Sequence, residues 1–570
     1  MAAVVFTDAD IIARCQSGEL ICDIGHSQMS DASPTSLLNR CVALHNSGQI
    51  DLLALTESAQ FAALSGSMFF VRQHFFCEAI PQLQTPAQPL MRAVHALVAK
   101  GGADLAANVP NDAFRKWCAA DPTRSQKIVL DAEAGDAQSI AFVTFALTAL
   151  GDTALARSFV AKYSDERRLS ALFALGRIKP SDAKDAENTI EVLLSFVDEA
   201  FAEATRCNAF MPALQICEQF PVLAPTYLPK AVAAATVAAT PGLLFNLAQS
   251  LWLHVKIYDR ASIKAALDAL KATDPAMGGI VGELDMALKT LMEATAGDLA
   301  QDFLTDILAA DNSGFELEQF KSVKHDLAGG DGDRLFKLLV RWLISGKSKL
   351  GAAAPHILTT GERAAPFNTS TAGLGLTGPD HQFLAYKTLG WLFTNEVVAA
   401  SILVACLRGC DPATAKDIGE LLFDPLLVNY GGKARDYLKT IKKGDAAYTR
   451  VRAALKAGDA FVKGLEIDPQ IKELRPSEYQ RSVERRHAHD MMRKVRKDAE
   501  KQSVLFNLVH RSTLLYGRRS IVFVQDPGNK RRSVSMDMHT ISHSFELPRH
   551  EIVDPVGLSV MLLTFRGARR

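Results

Sequence analysis

The sequence lacks the short motifs by which many enzymes are recognised. It contains no P-loop GxxxxGK(S/T), no HExxH, no GxSxG and no protein-kinase signature. It also lacks a CxxC pair, and its nine cysteines are scattered, as is typical of reduced and mostly buried thiols. Cys406 and Cys410 have no second Cys or His pair nearby, so we interpret them as core residues rather than zinc ligands. The sequence therefore predicts no cofactor and no metal, and it favours a protein that is not an enzyme.

An excess of charge of one sign is also missing from the whole chain, which has 63 Lys and Arg against 63 Asp and Glu. The two signs are nevertheless unevenly distributed. Residues 471–570 hold 20 Lys and Arg against 11 Asp and Glu, and residues 1–470 hold 43 against 52. A mildly acidic body thus carries a basic C-terminal region, where we expect a polyanionic partner to bind.

Membrane-spanning segments are not expected. The uncharged stretch 231–254 is long enough to cross a bilayer, but Pro241 and Gly242 interrupt it, which predicts two packed helices joined by a turn. The first residues carry acidic side chains where a signal peptide would carry positive charge. These features predict a cytoplasmic protein with no membrane contact.

Residues 1 to about 468 show apolar side chains at helical spacing, with almost no strand-like alternation. Gly-Asp pairs occur at 135–136, 151–152, 297–298, 332–333, 444–445 and 458–459, and we interpret each Gly as a helix end and each Asp as the cap of the next helix. The spacing of the pairs has no fixed period, and no tetratricopeptide or ankyrin consensus is present. The pattern predicts a mainly α protein with an irregular α-solenoid or helical-bundle body, which resembles HEAT-like repeat proteins in architecture alone.

Composition divides the chain into six regions. They are a helical region at 1–130, a helical-hairpin region at 131–350, a Gly/Thr/Pro-rich loop at 351–383, a helical region at 384–470, a basic and an apolar helix at 471–516, and a small basic α+β unit at 517–570. The loop contains a GxGxxG at 373–378, but polar residues precede it where a dinucleotide site needs a strand. We predict an exposed loop there that binds no nucleotide.

The basic region begins with a predicted helix over 477–502. Pro476 precedes a capping box formed by Ser477 and Gln480. Basic residues then recur at every fourth position and form a cationic stripe: Arg481, Arg485, His489, Arg493, Lys497 and Lys501. A second row forms a mostly apolar seam that we expect to dock on the body: Val483, His487, Met491, Val495 and Ala499.

The stripe has three interpretations. It is a solvated helix face with ordinary ion pairs, a surface that contacts phosphates, or a metal site at His487 and His489. The metal interpretation is the weakest, because residues two positions apart on a helix point in very different directions. Phosphate contact is the functional interpretation that the stripe favours.

After the apolar segment 503–517 the pattern alternates, which predicts two strands around the turn DPGN, a third strand at 540–548 and a closing helix that begins at Asp554. We expect the helix to cover the sheet, giving a β-hairpin or three-stranded sheet in the α+β unit. Five further cations lie near the ends and turn of the hairpin: Arg518, Arg519, Lys530, Arg531 and Arg532. Three residues are weak candidates for acid/base catalysis: Asp537, His539 and His543.

These observations leave three hypotheses for the function. The first is a non-enzymatic helical scaffold or adaptor whose basic C-terminal module docks on nucleic acid or on an acidic protein partner. The second is an enzyme, of nuclease or hydrolase type, with an unrecognised site in the C-terminal unit. The third is a structural subunit of a homo- or hetero-oligomeric assembly, in which the basic region binds the acidic body of a neighbouring subunit.

Overall fold

A computed structural model of the chain describes residues 6–25, 36–102, 108–237, 239–294, 296–358, 365–465, 477–502, 519–525, 531–537 and 546–570. The chain forms two compact units, Met1–Leu327 and Ala328–Arg570. Helices dominate both units, so the predicted mainly α fold is confirmed. Cys406 is fully buried, as expected of a core residue.

The first unit consists of α-helices joined by short connections. In chain order they are α1 (Asp8–Ser17), α2 (Leu20–Asp23), α3 (Leu37–Asn46), α4 (Ala59–Ala63), α5 (Gly66–Ala79), α6 (Ala87–Gly101), α7 (Val109–Ala120), α8 (Pro122–Glu133), α9 (Ala137–Leu150), α10 (Thr153–Lys162), α11 (Glu166–Leu175), α12 (Ala183–Leu194), α13 (Glu203–Gln219), α14 (Ala224–Val237), α15 (Pro241–Leu253), α16 (Arg260–Leu270), α17 (Gly278–Glu293) and α18 (Gly297–Ala309). The boundary between the two units falls within helix α19 (Lys321–Gly329), after Leu327.

The second unit is also helical. Its helices are α20 (Gly332–Ile344), α21 (Ser348–Leu358), α22 (Gly378–Leu392), α23 (Glu396–Gly409), α24 (Pro412–Leu421), α25 (Lys433–Lys439), α26 (Tyr448–Leu465), α27 (Glu478–Gln502), α28 (Arg549–Val553) and α29 (Pro555–Gly567). Strands β1 (Arg519–Gln525) and β2 (Arg531–Asp537) form an antiparallel hairpin.

The helices stack in two layers. From α7 to α17 each odd-numbered helix packs on the next odd-numbered helix, and from α10 to α18 each even-numbered helix packs on the next even-numbered one. In the second unit α20, α22, α24 and α26 follow the same rule. This is a helical-repeat-like arrangement, in which each helical hairpin buries its apolar faces against its neighbours.

Two of the six Gly-Asp pairs behave as the sequence predicts. Gly135 and Gly151 have φ angles of +94° and +68°, which an L side chain rarely adopts. Asp136 and Asp152 then accept main-chain N–H bonds three positions along, at 2.8 and 2.9 Å, and cap α9 and α10.

The prediction is wrong for three other pairs, and the sixth, at 444–445, lies in the turn before α26, with Gly444 at a φ of +108°. The pairs at 297–298 and 332–333 lie in the first turns of α18 and α20, and the pair at 458–459 lies inside α26. Helix α26 continues through its Gly because Val451, Ala454 and Leu455 bury its apolar face in the unit. A dipeptide sets a helix end only where the surrounding packing also requires the chain to turn.

The stretch 231–254 forms the two predicted helices. Helix α14 ends at Val237, and α15 begins at Pro241, directly after Thr240. Pro is favoured at the first position of a helix, where its missing N–H costs nothing. Across the described residues, every helix is too short or too polar to cross a membrane.

The predicted loop at 351–383 is shorter than expected, because α21 extends to Leu358 and α22 begins at Gly378. Gly373 and Gly375 lie between these helices in irregular, exposed backbone, as predicted. The third Gly of the motif does open a helix. However, the Asp380 carboxylate already accepts bonds from the N–H and Oγ1 of Thr377 at this helix start, at 3.0 and 2.7 Å. A second negative charge is disfavoured there.

The predicted C-terminal α+β unit is not supported. The hairpin pairs Arg519 with Asp537 and Gln525 with Arg531, and the described part of the expected third strand, residues 546–548, is not a strand. Helix α29 begins as predicted with Asp554 as its cap, but it packs on α22 rather than on the hairpin. The stacked rings of Tyr386 and Phe565, 5.4 Å apart, contribute to this contact.

Candidate polyanion interface

Helix α27 begins with the capping box that the sequence predicts. The main-chain N–H of Ser477 donates to Oε1 of Gln480 at 2.9 Å, and the N–H of Gln480 donates to Oγ of Ser477 at 3.1 Å. The helix has 25 residues and is therefore about 37 Å long, at ~1.5 Å per residue. It carries eight Lys and Arg against five Asp and Glu.

The cationic stripe is exposed along its described side chains. Arg481, Arg485, His489, Arg493 and Lys497 are all exposed. Among the described side chains, the three arginines and Lys497 form no ion pair; the one contact of this group is from Nε of Arg485 to the carbonyl oxygen of Arg481, at 3.2 Å. Lys501 lies in the last turn of the helix, and its side chain is outside the described part. As far as the described side chains extend, these four cations have no acidic partner.

The expectation that the apolar seam docks on the body is wrong. Val483, Met491 and Val495 are 43%, 56% and 64% exposed. Tyr479 and Met492 are exposed beside them, at 77% and 52%. Four-residue spacing makes a row on a helix surface, but this row winds around the axis and is too narrow to bury the helix on its own.

The hairpin separates its cations instead of gathering them. Arg519 begins β1 and lies opposite Asp537, which ends β2. Arg531 and Arg532 begin β2 at the other end of the hairpin. Arg518 and Lys530 lie outside the described residues. Strands of seven residues place the two ends about 20 Å apart, at ~3.3 Å per residue.

The weak catalytic candidates cannot be assembled into a site. Only the backbone of Asp537 is described, and it pairs with Arg519. His539 and His543 lie outside the described residues. No group of three or more metal-ligating side chains comes together in the described part of the chain. Nothing in these residues adds to the hypothesis of a C-terminal enzyme site.

The C-terminal segment 546–570 is anchored on the second unit by contacts that the sequence does not reveal. Glu546 accepts bonds from the main-chain N–H groups of Gly432 and Lys433, at 2.8 and 3.1 Å, and so caps α25. The N–H of His550 donates to Oδ1 of Asn429 at 2.9 Å. The part of the basic region that lies between α26 and Glu546 is therefore attached to the same unit at both of its ends.

A cleft of about 680 Å³ in the second unit has two cationic side chains in its lining, of which Arg408 is ion-paired. Its lining includes Arg408, Tyr437, Lys442 and Asp445. Arg408 donates to Asp445 from Nε and a terminal nitrogen, at 3.1 and 2.8 Å, and to the carbonyl oxygen of Thr369. This pairing neutralises the guanidinium, so the cleft has no charge free for a ligand at that position.

A second cleft, in the first unit, was missed by sequence reasoning. It measures about 540 Å³ and is lined by Asn108, Asn111, Asp112, Arg115, Phe145, Thr148, Phe173 and Arg177. These residues come from α7, α9 and α11 and from the turn after α11. No local motif links them, because only the stacking of alternate helices brings them together.

Comparison with known proteins gives no relative from which a function could be transferred. No protein-family model matches the chain, and no curated protein matches it significantly.

Proposed function

We propose that this protein is a non-enzymatic helical scaffold that docks on nucleic acid through the phosphate backbone, with helix α27 as the docking element. The observation that carries the proposal is the cationic stripe, in which Arg481, Arg485, Arg493 and Lys497 are exposed and form no ion pair with the described acidic side chains. Unneutralised cations in a row attract the regularly spaced charges of a nucleic acid.

The dimensions of the stripe support a phosphate contact. From position 481 to position 501 it extends about 30 Å along the axis, and it winds around the helix by about 40° per step. A winding row suits a ligand whose charges follow a curved groove rather than a flat acidic surface. Phosphates carry no base identity, so we expect binding without sequence preference.

The body supports the scaffold part of the proposal. Two layers of stacked helices present long surfaces built from successive hairpins, and repeat proteins use such surfaces to hold partners. The stretch between α26 and Glu546 is attached at both ends to the second unit, so a nucleic acid bound by α27 would be tethered to the scaffold.

The test is the salt dependence of binding to labelled duplex DNA and single-stranded RNA, followed by fluorescence anisotropy. Each phosphate contact on duplex contributes a slope of about −0.9 in log K against log salt, so five contacts give roughly −4 to −5. Arg485→Glu combined with Arg493→Glu should make the slope shallower by about two units and leave the helical circular dichroism unchanged.

A matched control is available on α26. Arg452 and Lys456 are exposed there, four positions apart, and neither forms an ion pair with another described side chain. Reversing both charges changes the net charge of the protein by the same amount and should leave the slope unchanged. Equal loss in both double variants would show a non-specific charge effect. No binding of either nucleic acid by the parent at low salt would overturn the proposal and leave an acidic protein surface as the partner.

A further inference from the structure

The missed cleft in the first unit contains two guanidinium groups that face the same space. Arg115 lies on α7, and Arg177 follows α11, which packs on α9 next to α7. The charge of Arg115 is close enough to act on Arg177. Partial desolvation, followed by that charge, lowers the pKa of Arg177 below its usual value. Two like charges are therefore held together at this point of the solenoid.

One carboxylate is available to compensate them, and it is already shared. Asp112 binds Arg115 at 2.7 Å and Lys116 at 2.9 Å. These contacts hold the pKa of Asp112 below its ordinary value, so the carboxylate is charged. The guanidinium of Arg177 has no hydrogen bond or ion pair with any described residue. The lining itself, with Arg115, Arg177 and Asp112, therefore carries one net positive charge, and the neighbouring Lys116, which does not line the cleft, shares the same carboxylate.

Arg177 is oriented by an aromatic ring. Its guanidinium carbon lies 3.8 Å from the ring centroid of Phe173. A guanidinium that stacks on a ring keeps its N–H groups at the edge of the plane, where they are free to donate to an anion. The stacking therefore positions the group for a ligand before the ligand arrives.

The other wall is a second ring, held by the core. Phe145 packs edge-on against Phe114, with centroids 6.1 Å apart, and Phe114 stacks on the buried Trp117 at 5.6 Å. Trp117 is fixed in turn by a bond from Nε1 to the carbonyl oxygen of Leu83, at 2.9 Å. The apolar side of the cleft is thus rigid and offers a flat surface to a ring.

Neutral donors complete the lining. The side-chain amides of Asn108 and Asn111 form no hydrogen bond with described residues, and both precede or begin α7, where the helix dipole favours negative charge. Oγ1 of Thr148 donates to the carbonyl oxygen of Thr144 at 2.7 Å and keeps its lone pairs as acceptors. The cleft therefore combines an anion-binding side with an apolar side.

We propose that this cleft binds a small phosphate monoester that carries a flat ring, with the phosphate between Arg115 and Arg177 and the ring against Phe145. A phosphate monoester carries about −1.5 to −2 charge at pH 7, and it would bind the guanidinium of Arg177, which has no ion pair, beside that of Arg115, which shares Asp112 with Lys116. Arginine pairs bind phosphate oxygens through parallel N–H bonds. The cleft volume of about 540 Å³ fits a ligand of this size. The site is separate from α27 and does not rest on the nucleic-acid proposal.

The test is isothermal titration calorimetry on the full-length protein with four probes. Phenyl phosphate has both the dianion and the ring, inorganic phosphate has no ring, and benzoate has a ring with one charge. In AMP the ring is joined to the phosphate through a sugar. Comparing AMP with phenyl phosphate therefore shows whether the cleft requires the ring to be joined directly to the phosphate. We expect phenyl phosphate or AMP to bind at least tenfold more tightly than inorganic phosphate or benzoate.

Arg177→Gln should weaken the tighter probe by about 10- to 100-fold, the effect of losing a charge-assisted contact. Arg177→Lys keeps the positive charge but loses the planar guanidinium that stacks on the ring. Its affinity for the probe should lie between those of the parent and of Arg177→Gln. Arg167→Gln is the matched control, because Arg167 also stacks on a ring, that of Tyr163 at 3.9 Å, but is already paired with Asp165. Its affinity should equal that of the parent. Equal affinity of Arg177→Gln and the parent, or no heat with any probe, overturns the proposal.

Discussion

The side chain of Arg566 donates a hydrogen bond from Nε to the carbonyl oxygen of Gly390, at 2.6 Å, across 176 positions of sequence. The same arginine lies 4.8 Å from the ring centroid of Trp391. The nearly buried amine of Lys387 donates to the carbonyl oxygen of Arg566. These contacts hold helix α29 against helix α22.

Gly390→Ala should release α29 from α22. A Cβ at this position would meet the main-chain nitrogen of Arg566 at 2.9 Å and the carbonyl carbon of Phe565 at 3.1 Å, and backbone atoms cannot yield as a flexible side chain can. Hydrogen exchange should show faster exchange over 555–567 with little change in the helices of the first unit.

The matched control is Gly464→Ala in α26, where a Cβ meets nothing within 4 Å. Alanine is favoured over glycine inside a helix by about 1 kcal/mol, so both variants gain the same local preference. Unchanged exchange over 555–567 in Gly390→Ala would show that α29 is held by other contacts.

Asp445→Asn should destabilise the protein by ~1.5–3 kcal/mol at pH 7, because it removes charge-assisted bonds to the half-buried Arg408. The bonds from Arg408 hold the pKa of Asp445 below its usual 3.8. The stability that this pair contributes is present above pH 3.8 and is lost as the pH falls through the lower folded-state pKa. The difference between parent and variant, measured by urea denaturation, should therefore shrink below about pH 4.

Asp298→Asn serves as the control for that measurement. Asp298 and its partner Arg260 are both more than half exposed, and an exposed ion pair contributes little. A pH-independent difference for Asp445→Asn, or a loss of the same size for Asp298→Asn, would contradict the role assigned to Arg408 and Asp445.

Asp152→Ala should cost more stability than Asp459→Ala, although both residues belong to Gly-Asp pairs. Asp152 caps α10 with a bond from the N–H of Leu155, and the loss of such a cap costs about 1 kcal/mol. Asp459 lies inside α26 and forms an exposed pair with Arg435. The thermal unfolding temperatures of the two variants measure this difference in stability. Equal losses would be inconsistent with the helix ends described above.

Iodoacetamide should modify Cys22 ahead of the other eight cysteines in the native protein. Cys22 is exposed, whereas Cys41 and Cys118 are fully buried, and burial raises the pKa of each of these two thiols to about 12. Peptide mass spectrometry after timed labelling should show Cys22 first, and unfolding in urea should equalise all nine. Early labelling of Cys41 in the native protein would contradict its burial.

The sequence predicts those parts of the fold that are decided locally. The turn at Pro241, the capping box at Ser477 and the cap at Asp554 depend on residues within one helical turn of each other, so short patterns find them. The helical body follows from periodicity for the same reason.

The features that the sequence does not predict depend on contacts between distant segments. The docking of α29 joins residues more than 170 positions apart, and the cleft between Arg115 and Arg177 exists because alternate helices stack. The pair at 458–459 has the composition of a helix end, but the packing of Val451 and Leu455 keeps α26 continuous. Local pattern and tertiary packing disagree at that point, and packing decides.

The attachment of the basic region at both ends has a mechanical consequence. Because α26 ends at Leu465 and Glu546 is bound to Gly432 and Lys433, a pull on α27 would be passed to the second unit at two separate points. Each of the two attachment points would then bear part of the load. A single cleavage of the chain between them would leave α27 attached at one of the two points. A protein cleaved between these two points would therefore stay together until Glu546 and α29 also dissociate from the second unit.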